Sequence, residues 1–434
     1  MKSFKWLYPG MHIKRWLLLL MVGIIIISLG FAYVLREVYN SYRFPDWVWY
    51  ATLQMIPRYV RGTLFFAVGV GLIVGAFWQL NRSLLSVLLP AGREDKLVDL
   101  IYHERYLRRA PKVVAIGGGT GLSTLLRGLK DHTGNLTAIV TVADDGGSSG
   151  RLRRELGVLP PGDFRNCIAA LADVEPLMTR LFQYRFQEGS GLEGHSFGNL
   201  FIVAMSGITG NFERALRESS RVLAVRGQIL PSTLANVTLC AQMEDEVTIQ
   251  GESEISHYAN RIQNVFLQPE GVQAYPEAIR AILDAELIVL GPGSLFTSVL
   301  PNLLVEGIHK AIRASSAVKV YVCNVATQPG ETDGFDVADH VAAIERHVGQ
   351  GLFDYVIVNN NRIEGLSSDP TAGSVSLNGR LPEHLKVVAA DVVSEINPLH
   401  HDPKKLADAL MHVFFDKSQN GRNGHPKSPD DQLG

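Results

Sequence analysis

The chain has 434 residues, enough for two or three structural units, and carries 41 basic against 43 acidic residues. This balance argues against a general nucleic-acid binder, so no nucleic-acid partner is expected. The three cysteines, Cys167, Cys240 and Cys323, match no zinc or disulfide spacing and are typical of reduced residues in a cytosolic domain.

Two long apolar segments lie near the start of the chain. Residues 16–35 carry no charge, and residues 62–80 have Gln79 as the only strongly polar side chain. At about 1.5 Å per residue, each could span a hydrocarbon core of roughly 30 Å. Buried soluble helices are the alternative, whereas a cleaved signal peptide would explain only the first segment. A modest excess of basic residues beside the two segments favours a topology in which both ends of the pair lie on the cytosolic side of the membrane. We therefore predict a membrane hairpin over residues 1–92, with both termini cytosolic.

Two further segments flank the predicted cytosolic domain, which we place at residues 112–415. Residues 93–111 combine Leu97, Leu100, Ile101 and Leu107 at helical spacing with the positive charge of Arg105, Arg108 and Arg109. This pattern suits either a basic amphipathic helix on the membrane surface or an ordinary connector packed on the domain. Residues 416–434 are rich in Asn, Gly, Pro, Ser and Asp, and they predict a disordered tail.

A glycine loop follows the first apolar run of this domain. Val113–Gly121 reads VVAIGGGTG and precedes a helical pattern over Leu122–Leu129. A buried strand, a glycine loop and a helix start together place backbone N–H groups around a phosphate. Leu122 stands where the dinucleotide fingerprint needs its last glycine, and no Gly-Lys-Ser/Thr follows as in a P-loop.

Similar loops follow other apolar runs. Val140–Gly150 reads VTVADDGGSSG, in which Asp144 and Asp145 could bind a ribose hydroxyl or a metal ion. LIVL at 287–290, VKVYV at 318–322, YVIV at 355–358 and LKVVA at 385–389 predict further strands, with helical patterns at 303–312 and 337–348. This alternation predicts an α/β fold, a Rossmann-like doubly wound and mostly parallel sheet. Ligands of such sheets bind beyond the carboxyl ends of the strands, so the loops predict one shared cleft.

A mostly helical insertion separates the second and third of these strands and holds two polar groups of residues. In the first, Arg165 could pair with a phosphate or carboxylate while Asp163 orients it. In the second, His195 precedes Asn199, which could cap the following helix over 200–205. Plain structural roles for His195 and Asn199 are the alternative.

The ordered blocks of the domain resemble the CofD/YvcK family, and more closely its YvcK branch, the gluconeogenesis factors. The blocks are GGGTGLS (117–123), ADDGGSSGRLR (143–153), PPGDFRNC (160–167), GHSFGNL (194–200), RGQILP (226–231), GPGSLFTSVLPNLL (291–304) and CNVATQPGETDGF (323–335). One departure is Leu399-His400-His401-Asp402, where relatives often carry an Arg-His pair thought to touch the nucleotide-sugar. Another is a short segment between Tyr355 and Leu385.

The resemblance implies a nucleotide diphosphate or uridine diphosphate (UDP) sugar bound across the loops. Asp144 and Asp145 would face the ligand or its Mg²⁺, and Asp144, Asp145 and Arg165 are the catalytic candidates. The expected nucleotide- or phosphate-binding residues are Gly117, Gly118, Gly119, Thr120, Gly121, Ser123, Gly146, Gly147, Ser148, Ser149, Asp163, Arg165, Asn166, His195, Asn199, Gly291, Pro292, Gly293, Ser294, Thr297, Ser298, Asn324, Thr327 and Gln328.

Two functional hypotheses follow from this resemblance. The first is a membrane-tethered regulatory protein that binds a UDP-sugar, acts in cell shape, wall synthesis and growth on gluconeogenic carbon, and contacts cell-envelope proteins. The second is a CofD-type phospholactate transferase with a guanylylated donor and a deazaflavin acceptor. We expect a homo-oligomer. An NAD-dependent oxidoreductase is disfavoured by the failed fingerprint, and a pure scaffold has no need of polar loops at its strand ends.

Overall fold

The computed structural model describes residues 13–42, 44–88, 107–173, 176–189, 191–258, 260–361 and 373–423. The chain divides into two compact units, Met1–Arg105 and Tyr106–Gly434. Most of the predicted connector at 93–111 lies outside the described residues, as do residues 424–434 of the predicted tail.

The N-terminal unit is helical in its described part, with α1 (Ile13–Ser41), α2 (Asp46–Ala51) and α3 (Arg58–Leu88). Within these residues α1 and α3 contain windows, Met21–Ser41 and Arg58–Ala76, that are long and apolar enough to cross a membrane. Neither window is buried within the protein, as expected of helices whose apolar side chains have no protein core to cover them. Length and composition thus make both helices candidate membrane spans.

The C-terminal unit contains a parallel sheet and a smaller antiparallel one. The strands in its described residues are β1 (Val113–Gly117), β2 (Leu136–Val140), β3 (Gln228–Pro231), β4 (Thr238–Met243), β5 (Thr248–Gln250), β6 (Ile262–Gln268), β7 (Leu287–Leu290), β8 (Val318–Val322), β9 (Tyr355–Asn359) and β10 (Lys386–Ala390). The parallel sheet has the order β10-β9-β8-β7-β1-β2-β3, and the antiparallel sheet has the order β5-β4-β6. The predicted α/β fold with a mostly parallel sheet is confirmed.

The strand order reverses beside β1. The chain first adds β2 and β3 on one side of β1, and later returns to place β7 on the other side. Every residue of β1 and β7 is buried, because helices cover both faces of the central strands. A ligand crevice is therefore expected beyond the carboxyl ends of β1 and β7, where the reversal leaves the two outgoing loops facing each other.

Helices connect the strands. The α-helices that connect them are α4 (Gly119–Leu129), α5 (Gly147–Leu156), α6 (Gly162–Leu171), α7 (Pro176–Gln183), α8 (Phe197–Thr209), α9 (Phe212–Val222), α10 (Glu252–Ile255), α11 (Pro276–Leu283), α12 (Leu300–Leu303), α13 (Ile308–Ala314), α14 (Val337–Val348) and α15 (Pro403–Asn423), and a π-helix at Leu295–Val299 precedes α12. Helices α5 to α9 lie between β2 and β3, and α15 packs beside α4. The mostly helical insertion predicted between β2 and β7 contains these helices, but it also contains β3 and the antiparallel sheet. Its helical part begins at the loop that follows β2.

Several element boundaries differ from the sequence-based expectation. The predicted helix over 303–312 is broken into α12 and α13, because Gly307 adopts a φ of +100° between them. The terminal helix α15 runs to Asn423, so the predicted start of the tail at residue 416 falls inside a helix. The antiparallel sheet was not predicted, because the sequence of β4, TLCAQM, does not alternate regularly between apolar and polar residues.

Candidate functional site

The glycine loop after β1 is the first wall of the site. Gly118 precedes α4 in an extended conformation, and Gly119 has a φ of +63°, which favours glycine. Because Gly118 has no side chain, it leaves the first turn of α4 without a side-chain cap. The N–H groups of this turn therefore face the crevice as potential donors to an anion.

The loop after β7 lies directly against the first loop. A Cβ atom on Gly118 would lie 2.6 Å from Asp163 Oδ2 at the start of α6, whereas one on Gly121 would lie 2.5 Å from the carbonyl oxygen of Pro292. The second distance is shorter than any ordinary contact, so a side chain on Gly121 would push the two loops apart. The glycines thus allow the loops to approach to the distance at which one ligand could contact both.

The loop after β8 completes this wall through side-chain amides. Gln328 Nε2 donates to Ser294 Oγ at 2.7 Å, and Asn324 Nδ2 donates to Gln328 Oε1 at 3.3 Å. The backbone N–H of Gly293 donates to Asn324 Oδ1 at 3.4 Å. These bonds join the loops after β7 and β8, so the amide side chains have fixed orientations at the edge of the crevice.

The three loops enclose a cleft of about 500 Å³, which we call the main cleft. Its lining contains eleven of the residues predicted to bind nucleotide or phosphate: Gly118, Gly119, Thr120, Gly121, Pro292, Gly293, Ser294, Ser298, Asn324, Thr327 and Gln328. Sequence reasoning missed Thr124, Glu252, Val325, Ala326 and Pro329, which also line it. Leu399, His400 and His401 line it too, and the departure from the family pattern was the signal that marked them.

A second cavity of about 230 Å³ lies next to the first, and we call it the side compartment. Its lining combines the loop after β2 with the start of α6 and one residue of α8: Asp144, Gly146, Gly147, Ser148, Ser149, Gly162, Asp163, Arg165, Asn166, Arg185 and Asn199. All but Gly162 and Arg185 were predicted site residues. Asp163 stands between the two cavities, because it accepts a hydrogen bond from Gly119 N of the main cleft.

The structure gives the two predicted aspartates different surroundings. Asp145 Oδ1 accepts hydrogen bonds from Ser253 N and Ser253 Oγ, both at 2.9 Å, at the start of α10. Asp145 lines neither described cavity, whereas Asp144 lines the side compartment. Asp144 Oδ1 accepts from Gly146 N at 3.0 Å. Of the pair, Asp144 is therefore the one that borders a described cavity.

Five other predicted site residues line neither described cavity: Gly117, Ser123, His195, Gly291 and Thr297. Thr297 donates to the buried Glu331 Oε1 at 3.1 Å, and Ser123 donates to the carbonyl of Thr120 at 2.9 Å. His195 stands behind the wall of the side compartment, with its Nδ1 atom 2.8 Å from Ser148 Oγ. These side chains support the walls from behind.

The predicted cap of α8 is also corrected. Ser196 is the N-cap residue, and its Oγ accepts from the backbone N–H of Asn199 at 3.2 Å. Asn199 is therefore the third residue of the helix, and its side chain is free to reach the site. Asn199 Nδ2 donates to Ser148 Oγ at 3.0 Å, which joins α8 to α5.

Buried carboxyl groups dominate the electrostatics between the cavities. Burial, followed by the charge of Asp144, raises the pKa of Asp163 to about 7. Burial also raises the pKa of Asp144, and burial together with four neighbouring carboxylates raises the pKa of Glu252 well above its usual range. Desolvation penalises each negative charge and neighbouring charges add to the penalty, so this cluster holds protons at a pH where ordinary carboxyls are ionised.

The donor set does not form a protein-only Mg²⁺ site. Among the described residues there is no group of three His, Cys, Asp or Glu side chains that could hold a metal ion together. Asp145, one of the two predicted ligands, is engaged by Ser253. Mg²⁺ commonly binds through one or two carboxylates plus substrate phosphates, so the geometry suits only an ion that a phosphate ligand brings with it.

Residues 113–402 match the family described as 2-phospho-L-lactate transferase CofD. A Nostoc relative with a gluconeogenesis-factor name is 48% identical over 419 residues, which are 94% of this chain and 92% of the relative. The gluconeogenesis factor of Bacillus subtilis is 49% identical over 315 residues, which are 70% of this chain and 98% of the relative.

A solved structure extends the likeness to the fold. The crystal structure of a UPF0052 family protein from Bacillus halodurans is 46% identical to this chain and aligns with a TM-score of 0.66. The alignment covers 70% of this chain and 99% of the Bacillus halodurans chain, so the likeness does not depend on the N-terminal unit. The family match over residues 113–402, the identity to the two relatives and the shared fold all agree. The chain therefore belongs to the CofD/YvcK family, among the relatives of the gluconeogenesis factors.

Proposed function

We propose that this protein binds a UDP-sugar in the main cleft and acts as a membrane-tethered regulatory protein of the YvcK type. Its cellular role would lie in cell shape, wall synthesis and growth on gluconeogenic carbon, with cell-envelope proteins as partners. The observation that carries the binding proposal is the pair of glycine loops facing each other where the strand order reverses. This is the position at which open α/β sheets bind their ligands.

The diphosphate would lie on the first turn of α4. That turn has no side-chain cap and no acidic residue of its own. Gly119 N faces Asp163, so the N–H groups that follow it and the positive end of the helix dipole are available to an anion. Of the two predicted aspartates, Asp144 would be the one to contact a Mg²⁺ ion carried by the diphosphate. The amides of Asn324 and Gln328 would then contact the nucleoside side of the ligand.

The tether rests on the N-terminal helices. α1 and α3 are long and apolar enough to cross a bilayer, and hydrophobic helices of this length are costly to leave in water. A hairpin with both ends in the cytosol would hold the nucleotide-binding unit at the inner face of the membrane, where wall precursors are assembled. Alkaline carbonate extraction tests the tether, because a hairpin that spans the bilayer stays in the pellet.

Calorimetry on the full chain in detergent micelles tests the binding proposal. UDP-glucose and GDP-mannose would be titrated with and without Mg²⁺, and the ligand would then be recovered and checked for turnover. We expect UDP-glucose to bind and to be recovered intact. Gly118→Asp should abolish binding, because its Cβ would lie 2.6 Å from Asp163 Oδ2 and would force the glycine loop out of position, whereas Gly207→Asp on the open side of α8 should not. Equal binding by both variants would contradict the site assignment.

A transferase of the CofD type is the second candidate, favoured by the family match and by one feature of the site. A carboxyl with a pKa of about 7, such as Asp163, is poised to accept a proton from an acceptor hydroxyl near neutral pH. Phosphoryl transfer otherwise needs positioning and charge stabilisation. Consumption of a guanylylated phospholactate in the presence of a deazaflavin, with loss of the reaction in Asp163→Asn, would favour this function over the first.

A further inference from the structure

We propose that the side compartment binds the glycosyl group of the ligand, through its hydroxyls, while the diphosphate stays in the main cleft. This inference rests on the proposed function and divides the ligand between two cavities. It also changes the role of Ser148, Arg165 and Asn199 from phosphate binding to sugar recognition.

The position of the compartment supports this division. Asp163 accepts a hydrogen bond from Gly119 N on the glycine loop and also lines the side compartment. A diphosphate on that loop therefore lies one side chain away from the compartment. The volume of about 230 Å³ is below the range of roughly 300–1,000 Å³ that is typical of sites for whole drug-sized ligands, so it suits one part of a larger molecule.

Two buried hydrogen-bonding positions in the wall await a partner. Asn199 is 2% exposed, and its Oδ1 atom accepts no hydrogen bond from any described residue. Ser148 Oγ is hydrogen-bonded to His195 Nδ1 and Asn199 Nδ2. These bonds use two of the three hydrogen-bonding positions of a hydroxyl, which has one donor and two acceptor lone pairs. Whichever tautomer His195 adopts, Ser148 keeps one position open. Buried polar atoms are nearly always satisfied in folded proteins, so these positions point to a ligand.

Donors and acceptors alternate around the compartment. Arg165 Nε is buried and donates to no described residue, while Asn199 Oδ1 is an acceptor. The carboxyl groups of Asp144 and Asp163 and the guanidinium groups of Arg165 and Arg185 also line the space. A phosphate offers only acceptors, whereas a sugar hydroxyl donates and accepts at the same time, so it can satisfy both Arg165 Nε and Asn199 Oδ1. The mixture of donors and acceptors in the wall therefore suits a polyol.

The compartment is also rigid. Ser148 and His195 are 5% and 3% exposed. The hydrogen bonds of Ser148 connect α5 to Asn199 of α8 and to His195, which precedes the N-cap of α8. Burial lowers the pKa of His195, so the ring is neutral near pH 7 and adds no charge that would attract an anion. Preorganised groups lose little entropy on binding, so the sugar contacts should add measurably to affinity.

The test compares UDP with UDP-glucose by calorimetry, using the full chain in detergent micelles. We expect UDP-glucose to bind wild type about tenfold tighter than UDP, as a few additional hydrogen bonds would provide. Ser148→Ala and Asn199→Ala should retain UDP affinity and lose this tenfold difference. The matched control is Ser298→Ala in the main cleft, which should weaken both ligands by the same factor and preserve the difference.

Retained UDP binding shows that each variant is folded. Saturation-transfer NMR on wild type provides a second measurement, in which the glucose protons should be saturated as strongly as the ribose protons. Equal loss of UDP and UDP-glucose binding in both compartment variants, or weak saturation of the glucose protons, would overturn the inference. Failure of wild type to bind UDP would instead contradict the proposed function, so the two failures are distinguishable.

Discussion

Gly118 and Asp163 are in such close contact that a single methyl group on Gly118 would lie 2.6 Å from the Asp163 carboxylate. The contact joins the loop after β1 to the start of α6, and so joins the main cleft to the side compartment. It also places a buried carboxyl beside the expected diphosphate. Protonation of Asp163 or a bound cation would therefore help an anionic ligand to bind.

Gly121→Ala should separate the two glycine loops. Its Cβ would lie 2.5 Å from the carbonyl of Pro292, and overpacking of this kind costs about 1–3 kcal/mol. Nucleotide affinity should fall about tenfold because the loops can no longer share one ligand. Urea midpoints by circular dichroism and calorimetry measure the two effects. Gly207→Ala is the control: it meets nothing within 4 Å and should stabilise α8 by about 0.5–1 kcal/mol.

Asp163→Asn should change how stability depends on pH. The pKa of Asp163 is about 7 in the folded protein against an ordinary value of 3.8, so between these values the folded state binds the extra proton. The contribution of Asp163 to wild-type stability therefore falls as pH rises from about 4 to 7. Urea midpoints at pH 5, 6, 7 and 8 should show the variant gaining stability relative to wild type across this series. A constant difference would show that Asp163 titrates normally.

His401 should have the opposite pH dependence. Burial lowers its pKa to about 4, and its Nε2 atom lies 3.2 Å from the carbonyl oxygen of Cys323 at the edge of the main cleft. The unfolded chain binds the proton first, so the contribution of His401 to stability is constant above about pH 6.5 and is lost as pH falls towards 4. In His401→Gln this loss should be smaller, as measured by thermal melts between pH 4 and 7. Identical acid sensitivity in both proteins would contradict a buried neutral imidazole.

Asp145→Ala should affect stability without affecting nucleotide binding directly. The substitution leaves Ser253 N and Ser253 Oγ without their carboxylate acceptor, at a cost of about 1–3 kcal/mol. Nucleotide affinity, with and without Mg²⁺, should stay near the wild-type value because Asp145 lines neither described cavity. Asp144→Asn is the matched comparison and should reduce any Mg²⁺ dependence. Loss of Mg²⁺ dependence in Asp145→Ala would restore the paired-aspartate hypothesis.

The fold was predictable where the signal is local. β7, β8 and α14 have the bounds expected from their apolar runs, because a short buried strand or an amphipathic helix is recorded in consecutive residues. The glycine loops were predictable for the same reason. The boundary of α15 was not, since Asp416 and the polar residues after it continue a helix that packing further upstream had already started.

The roles of individual site residues depended on contacts between distant segments. Glu252 reaches the main cleft from α10, beside an antiparallel sheet that the sequence did not indicate. Asp145 is directed to Ser253, 108 positions along the chain. Ser196 rather than Asn199 caps α8, and this releases the Asn199 side chain to Ser148.

The sequence by itself determined the family blocks, the α/β class, the glycine loops and two helices apolar enough to span a membrane, because each is encoded by residue type and short spacing. Only the tertiary structure decided that Asp144 borders a cavity while Asp145 bonds to Ser253, that the predicted residues divide between two cavities, and that Asp163 connects them. Those properties depend on the directions of side chains that meet only after the sheet has brought its loops together, and no local pattern encodes them.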